Sequence, residues 1–333
     1  MAIEEGRSHE AVSNKGCVFR LIRLLVPAVL VVAGVGWLSF WTLARALQDH
    51  MTKSAVVESL HLGGPVHRLD ALFRGRQAGG AVVASLGPDG VFLVDGFASE
   101  ELARKALVQL EQLAGDLPIR FLVTTHPHPD HIGGNAFFAQ RGATIIGHSS
   151  TAAWMARSLR PAGFLPPTPP YPTEARPSLE VADEYEIAFN DETIRVLALG
   201  PAHTESDVAV WFVGSKVAHV GDLFHGHGSH SSASWINGGD AAGLLRAVDQ
   251  LLDLLPDDVR IVGGHSPPGS WSTVAELAQY RRILAHVLSA LGDRPPANLA
   301  VEVEREFSSW FSHSDEGIMH GPATGWVENL GKN

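Results

Sequence analysis

The sequence predicts an α/β domain of sheets covered by helices, preceded by one membrane-spanning helix. Three observations carry this reading. An uncharged stretch, Leu24–Ala44, stands near the N-terminal end. From about Val66 onward, short apolar runs of strand length alternate with segments of helical periodicity. Several of those runs end in glycine or proline beside a histidine or an aspartate.

The first element spans 21 residues without a charge, about 30 Å at the helical rise and roughly the hydrocarbon thickness of a bilayer. Arg7, Lys15, Arg20 and Arg23 precede it, and only Arg45 and Lys53 follow closely. That excess favours residues 1–23 in the cytoplasm and the remainder outside. Leu24–Ala44 therefore reads as a signal anchor. Ala44-Arg45-Ala46 resembles a small-x-small cleavage site, so a cleaved signal peptide is the alternative. Residues 45–65 read as a linker, and residues 66–333 as one domain.

Within that domain, Ala81–Leu86 and Val91–Asp95 read as strands joined by the turn Gly87-Pro88-Asp89-Gly90. Ser99 can cap a helix whose apolar face is Leu102, Ala106, Leu110 and Leu113. Arg120–Thr125 is a buried strand, Asn135–Gln140 a short helix and Thr144–Gly147 another strand. Seven prolines mark Pro161–Pro177 as an irregular surface loop. Ile194–Leu199, Val208–Phe212, Val217–Val220 and Arg260–Val262 complete the strands. Asp240–Leu255 is amphipathic, and Thr273 and Glu276 have capping-box spacing before a helix that runs through Leu277 to Leu291.

Composition narrows the chemistry. Over 333 residues, 45% are hydrophobic and 18% charged, so most of the chain can fold. A net charge of −11 argues against nucleic acid as a partner. There are 17 histidines and one cysteine, Cys17. An internal disulfide and a thiolate-rich zinc site are both excluded, and any metal site must use histidine and carboxylate.

The strand Arg120–Thr125 runs straight into His126-Pro127-His128-Pro129-Asp130-His131. Side chains two apart in an extended segment share a direction, so His126 and His128 can grip one cation. Asp130 and His131 follow where Gly133-Gly134 turns the chain, and can face a second. Three further ligand-type residues end other strands: His203 in Gly200-Pro201-Ala202-His203-Thr204, Asp222 in Gly221-Asp222-Leu223-Phe224, and His265 in Gly263-Gly264-His265-Ser266. Strand ends that meet on one edge of the sheets are where α/β sites are built.

These four motifs, in this order and spacing, resemble the metallo-β-lactamase superfamily over roughly residues 66–330. The resemblance implies an αββα four-layer sandwich with the site along one edge of the two sheets. It implies a first metal held by His126, His128 and His203, and a second by Asp130, His131 and His265, with Asp222 bridging. Asp95 matches a carboxylate that supports ligand histidines in this family. Two zinc ions are expected, with iron or manganese as alternatives. Cysteine-using lactamases place a thiolate near the Asp222 position, and this chain has none there. An aspartate resembles the glyoxalase-II-like and lactonase-like branches, and the stretch from His203 to Phe224 looks most like the former.

The implied reaction is hydrolysis of an ester, lactone, thioester or lactam in a small-molecule substrate, by a hydroxide bridging the two metals, with Asp130 orienting the nucleophile. A mono-iron enzyme similar to persulfide dioxygenases, a β-lactamase proper and a non-catalytic membrane-tethered binding protein are the alternatives. The loop His225–Asn237 reads as a flexible glycine-serine loop, as a wall of the site, or as a secondary metal contact through His225 or His227. His148 and His219 read as structural strand residues.

Overall fold

Strands buried on both faces read as continuous apolar runs, and here they sort their side chains into separate cores. In β4 (Val82–Gly87), Val82 and Ala84 belong to one hydrophobic cluster and Val83 to another. In β5 (Gly90–Val94), Leu93 joins the first, and Phe92 and Val94 the second. A period of two thus gives each strand two partners.

The computed structural model describes residues 39, 40, 42, 43, 46, 47, 49–157, 169–228, 231, 237–292, 295–311 and 323–331. The chain divides into two units, Met1–Met51 and Thr52–Asn333. The described residues of the first are helical.

The second unit holds two mixed sheets. To β4 and β5 the first adds β1 (Val56–Gly63), β2 (Val66–Phe73), β3 (Arg76–Gln77), β6 (Ile119–Val123), β7 (Thr144–His148) and β8 (Leu179–Val181). Its order is β1-β2-β4-β5-β6-β7-β8, with β3 paired to β2, and β5 through β8 run parallel. The second sheet comprises β9 (Glu184–Phe189), β10 (Glu192–Ala198), β11 (Val208–Phe212), β12 (Val217–His219), β13 (Arg260–Val262) and β14 (Ser272–Thr273). Its order is β14-β13-β12-β11-β10-β9, and only β12 and β13 are parallel.

Three cores define the layers. Between the sheets, Phe92, Val94 and Val123 meet Val196, Val210 and Phe212. Outside the first sheet, Val82, Leu93 and Leu122 pack on Leu102, Ala106 and Leu110 of helix α1 (Glu100–Ala114). Outside the second, Ala209, Ala218 and Ile261 pack beneath α5 (Ala241–Leu254) and α6 (Val274–Ala290). The result is helix, sheet, sheet, helix. Three short helices lie between α1 and α5: α2 (Pro129–Ile132), α3 (Asn135–Ala139) and α4 (Ser149–Met155). Near the C-terminus, α7 (Pro296–Glu306), α8 (Ser308–Phe311) and α9 (Ala323–Leu330) extend the outer layer on the second sheet.

Caps set the helix starts. The Ser99 side chain accepts from Leu102 N, and the Asp240 side chain from Ala242 N. Thr273 and Glu276 form the expected reciprocal capping box.

Several expectations need correction. Residues 45–65 are not a linker throughout, because β1 occupies Val56–Gly63 and pairs with β2 from Val56↔Leu72 to Gly63↔Val66. This edge strand exposes Glu58, Ser59 and His61, while Leu62 is buried in the inter-sheet core with Leu60 packed against it. Leu113 is 38% exposed and lies off the apolar face of α1. Polar residues dilute the apolar signal of β9. Apart from residues 39, 40, 42 and 43, the segment Leu24–Ala44 lies outside the described residues. Among the described residues, no helix is long and apolar enough to cross a membrane. Most of the loop between His227 and Asn237, and residues 158–168 of the proline-rich segment, also lie outside them.

The capping box gives a first prediction. Thr273→Ala removes the acceptor for Glu276 N and should cost about 1 kcal/mol, lowering Tm by about 2–4 °C in a domain of this size. An unchanged melt by circular dichroism would contradict it.

Candidate metal centre

Each ligand-type side chain arrives from the end of a strand. β6 stops at Val123, and Thr124-Thr125 carry the chain to His126. His128 is extended (φ −72°, ψ 141°) and precedes α2, which presents Asp130 and His131. His203 follows β10 in a turn fixed by Asp207, whose carboxylate accepts from Thr204 N at 2.7 Å and Thr204 Oγ1 at 2.9 Å. Asp222 sits in a short 3-10 turn after β12, and His265 follows β13. The first sheet thus supplies four of these residues and the second sheet three.

They converge on two adjoining places. His126 Nε2 lies 3.0 Å from His128 Nδ1, which lies 3.2 Å from His203 Nε2. Asp222 Oδ2 is 3.6 Å from His126 Nε2 and 3.5 Å from His203 Nε2. Beside this group, His265 Nε2 is 3.1 Å and His131 Nε2 3.7 Å from Asp130 Oδ2. Asp222 faces this second group too, with Oδ1 3.4 Å from His131 Nε2 and Oδ2 3.5 Å from His265 Nε2. The donor atoms of each group lie within 4.8 Å of one another.

The hydrogen bonds around the rim fix which nitrogen faces inward. Thr125 Oγ1 donates to Asp95 Oδ2 at 2.9 Å, so it accepts from His126 Nδ1 at 3.0 Å. Asn237 Oδ1 accepts from His128 Nε2 at 3.0 Å. Asp95 Oδ2 accepts from His131 Nδ1 at 2.7 Å. His126 Nε2 and His128 Nδ1 therefore present bare lone pairs to each other. Burial lowers both imidazoles below their ordinary value, that of His126 well below, so a proton between them is disfavoured. A cation resolves the repulsion, and nitrogens about 2.0–2.1 Å from zinc would stand about 3.3 Å apart, close to the spacing found. The residues present fit a cation in the first group.

The second group fits one on charge. Burial opposes ionisation of Asp222, but His265, His131, His225 and His126 outweigh it and hold the carboxyl well below the usual range. Burial also opposes charge on Asp130, and His131 and His265 again reverse it, lowering the group. His131 is raised to about 9, because Asp222, Asp95 and Asp130 overcome its burial. The same balance lifts His265 well above its ordinary value, through Asp222 and Asp130. Protons on these two rings thus do the neutralising that a cation would take over, and binding one releases them. His131 Nε2 and Asp222 Oδ1 are buried without a hydrogen-bond partner among the described residues, an arrangement that is costly unless a ligand completes it.

All seven expected residues are brought together, and Asp95 supports His126 and His131 as its motif suggests. Other contributors escaped the sequence reading. Asn237 reaches His128 across 109 residues. Gly80 and Gly264 admit the ligands because they have no Cβ: one at Gly80 would lie 2.5 Å from His131 Cε1, and one at Gly264 would lie 2.1 Å from Asp222 Oδ1. Arg68, fully buried and paired with Asp70 at 2.7 Å, donates to Ser266 Oγ and O at 2.8 Å and to Ser270 O at 2.6 Å, fixing the turn after His265. His225, which the sequence left between a flexible loop, a site wall and a secondary metal contact, is buried. His148 caps α4, and His219 lies in β12 with Nε2 3.0 Å from Ala81 O, so both are structural.

The model of the metallo-beta-lactamase superfamily matches residues 78–265, more than half of the chain. The chain belongs to this superfamily. The metallo-beta-lactamase from Pontibacter korlensis has a similar fold, with a TM-score of 0.55 at 18% identity, covering 69% of this chain and 99% of that one. The chain is also 28% identical, over 136 residues, to 2,4-dinitroanisole O-demethylase subunit alpha of Nocardioides sp. (strain JS1661). That match covers 41% of this chain and spans 38% of the relative's length. A mixed α/β metallo-β-lactamase fold with a histidine–aspartate cluster is thus established.

Gly264→Ala tests the geometry. A methyl group there collides with Asp222 and displaces it from between the two groups, so metal content after dialysis should fall well below wild type while the far-UV spectrum persists. Full metal content in this variant would contradict the placement.

Proposed function

We propose that this chain is a two-cation hydrolase of the glyoxalase-II-like branch, cleaving an ester, lactone, thioester or lactam in a small molecule. The observation that carries the reading is the convergence of five imidazoles and two ionised carboxylates at two adjoining places. His126, His128 and His203 would hold one cation, Asp130, His131 and His265 the other, and Asp222 would serve both. Zinc suits this donor set, with iron or manganese as alternatives. Bound there, the cations would supply Lewis acidity and bring the pKa of water near 7.

The chain's own residues do the rest. Asp95 and Thr125 keep His126 and His131 turned inward, and Asn237 does so for His128. Asp130 has a side chain 36% exposed against 2% for Asp222, so it is the carboxylate of the two nearer solvent and the group to orient an attacking water.

Purified protein should carry two zinc ions per chain and turn over at least one member of a panel of lactones, thioesters and β-lactams. The name of the Nocardioides relative adds an activated aryl methyl ether, 2,4-dinitroanisole, to that panel. Asp222→Ala should lose most turnover and weaken metal affinity by at least about 10–100-fold. One iron per chain with no turnover on the panel would overturn the reading.

We also propose that the unit Thr52–Asn333 is the catalytic domain and that Leu24–Ala44 holds it outside the cytoplasm, as an anchor or as a cleaved signal. The 21 uncharged residues and the preceding arginines support this. Alkaline phosphatase fused after Asn333 should be active, and green fluorescent protein fused there dark. The opposite pair of results would put the domain in the cytoplasm.

A further inference from the structure

His225 stands three residues beyond Asp222, just past the 3-10 turn, and is 1% exposed. Its Nε2 lies 3.4 Å from Asp222 Oδ1, and its ring sits edge-on to that of His265, with centroids 5.2 Å apart. Neither ring nitrogen has a hydrogen-bond partner among the described residues. Asp222 Oδ1 and His131 Nε2, 3.4 Å apart, are in the same condition. Leaving a buried polar group without a hydrogen bond costs about 1–3 kcal/mol, and here four such atoms belong to three adjoining side chains.

The backbone holds the ring in this position by close packing. Gly263 lies against the chain at this point: a Cβ there would be 1.9 Å from Phe224 O and 2.9 Å from His225 Cα. Gly226, at φ +102°, turns the chain away immediately afterwards. The imidazole is therefore aimed into the cluster by glycines on both sides rather than folded back into a loop.

We propose that His225 is a ligand of the second cation, on the Oδ1 side of Asp222, an assignment that rests on the two-cation reading above. With it, the second place would have three imidazoles, His131, His225 and His265, matching the three at the first. A divalent ion there would have these three imidazoles beside Asp130 and the shared Asp222.

Cobalt(II) titration of the full-length protein provides the test, because its visible d–d bands report ligand number and type without any turnover. Wild type should take up two equivalents in two resolvable steps. His225→Gln and His225→Ala should bind the first as wild type does, bind the second at least about tenfold more weakly, and show altered bands for that second ion. Imidazole added to the His225→Ala protein should restore the second step, which a packing role would not predict. If the alanine variant does not fold, the glutamine variant carries the comparison. Two wild-type steps with both variants unchanged would overturn the assignment of His225 alone. Failure of the wild type to take up cobalt would overturn both this assignment and the two-cation reading.

Discussion

Five imidazoles lie within 3.6 Å of the carboxylate oxygens of Asp222, and that carboxylate is almost wholly buried. Charge packed this densely out of water is tolerable only if it is neutralised in place. The surrounding structure is arranged to that end. Asp95, Thr125 and Asn237 fix ring orientations, and Gly80 and Gly264 lack side chains where His131 and Asp222 approach.

The sheets supply the rigidity this needs. Ligands from β6 come from a strand buried between the inter-sheet core and the core under α1, and those from β12 and β13 come from strands backed by α5 and α6. The Arg68–Asp70 pair joins the two halves directly. It stands on β2 of the first sheet, yet it binds the turn after β13 of the second through Ser266, Gly269 and Ser270. A buried ion pair of this kind is weak evidence for stability in itself, and its contacts give it a role in fixing where His265 points.

What the sequence revealed follows from what is local. His126, His128, Asp130 and His131 were legible because four ligand-type residues fall within six positions at the end of an apolar run. Asp222 and His265 were legible because glycine flanks each one at a strand's end. The caps at Ser99 and Thr273 could be read for the same reason, since donor and acceptor are three residues apart. Contacts that close over long separations left no such trace. Asn237 meets His128 across 109 residues and Arg68 meets Ser266 across 198, and nothing near either residue signals the other. His225 stayed open between a loop residue and a metal contact, because the glycines and serines after it imitate a loose loop. β1 and β9 are edge strands in which polar outward residues dilute the short alternation of Leu60 with Leu62 and of Ile187 with Phe189.

The division of the ligands between the sheets has one more consequence. Neither sheet supplies all the donor side chains of either group, so an ion bound at either would act as a clasp across the inter-sheet core. Binding energy of that kind adds to the folded state alone, by about 2.7 kcal/mol when free metal stands at a hundred times its dissociation constant. Resistance to heat and to proteolysis would then track the metal supply of the compartment, and starvation for the ion would remove the enzyme by turnover as well as silence it.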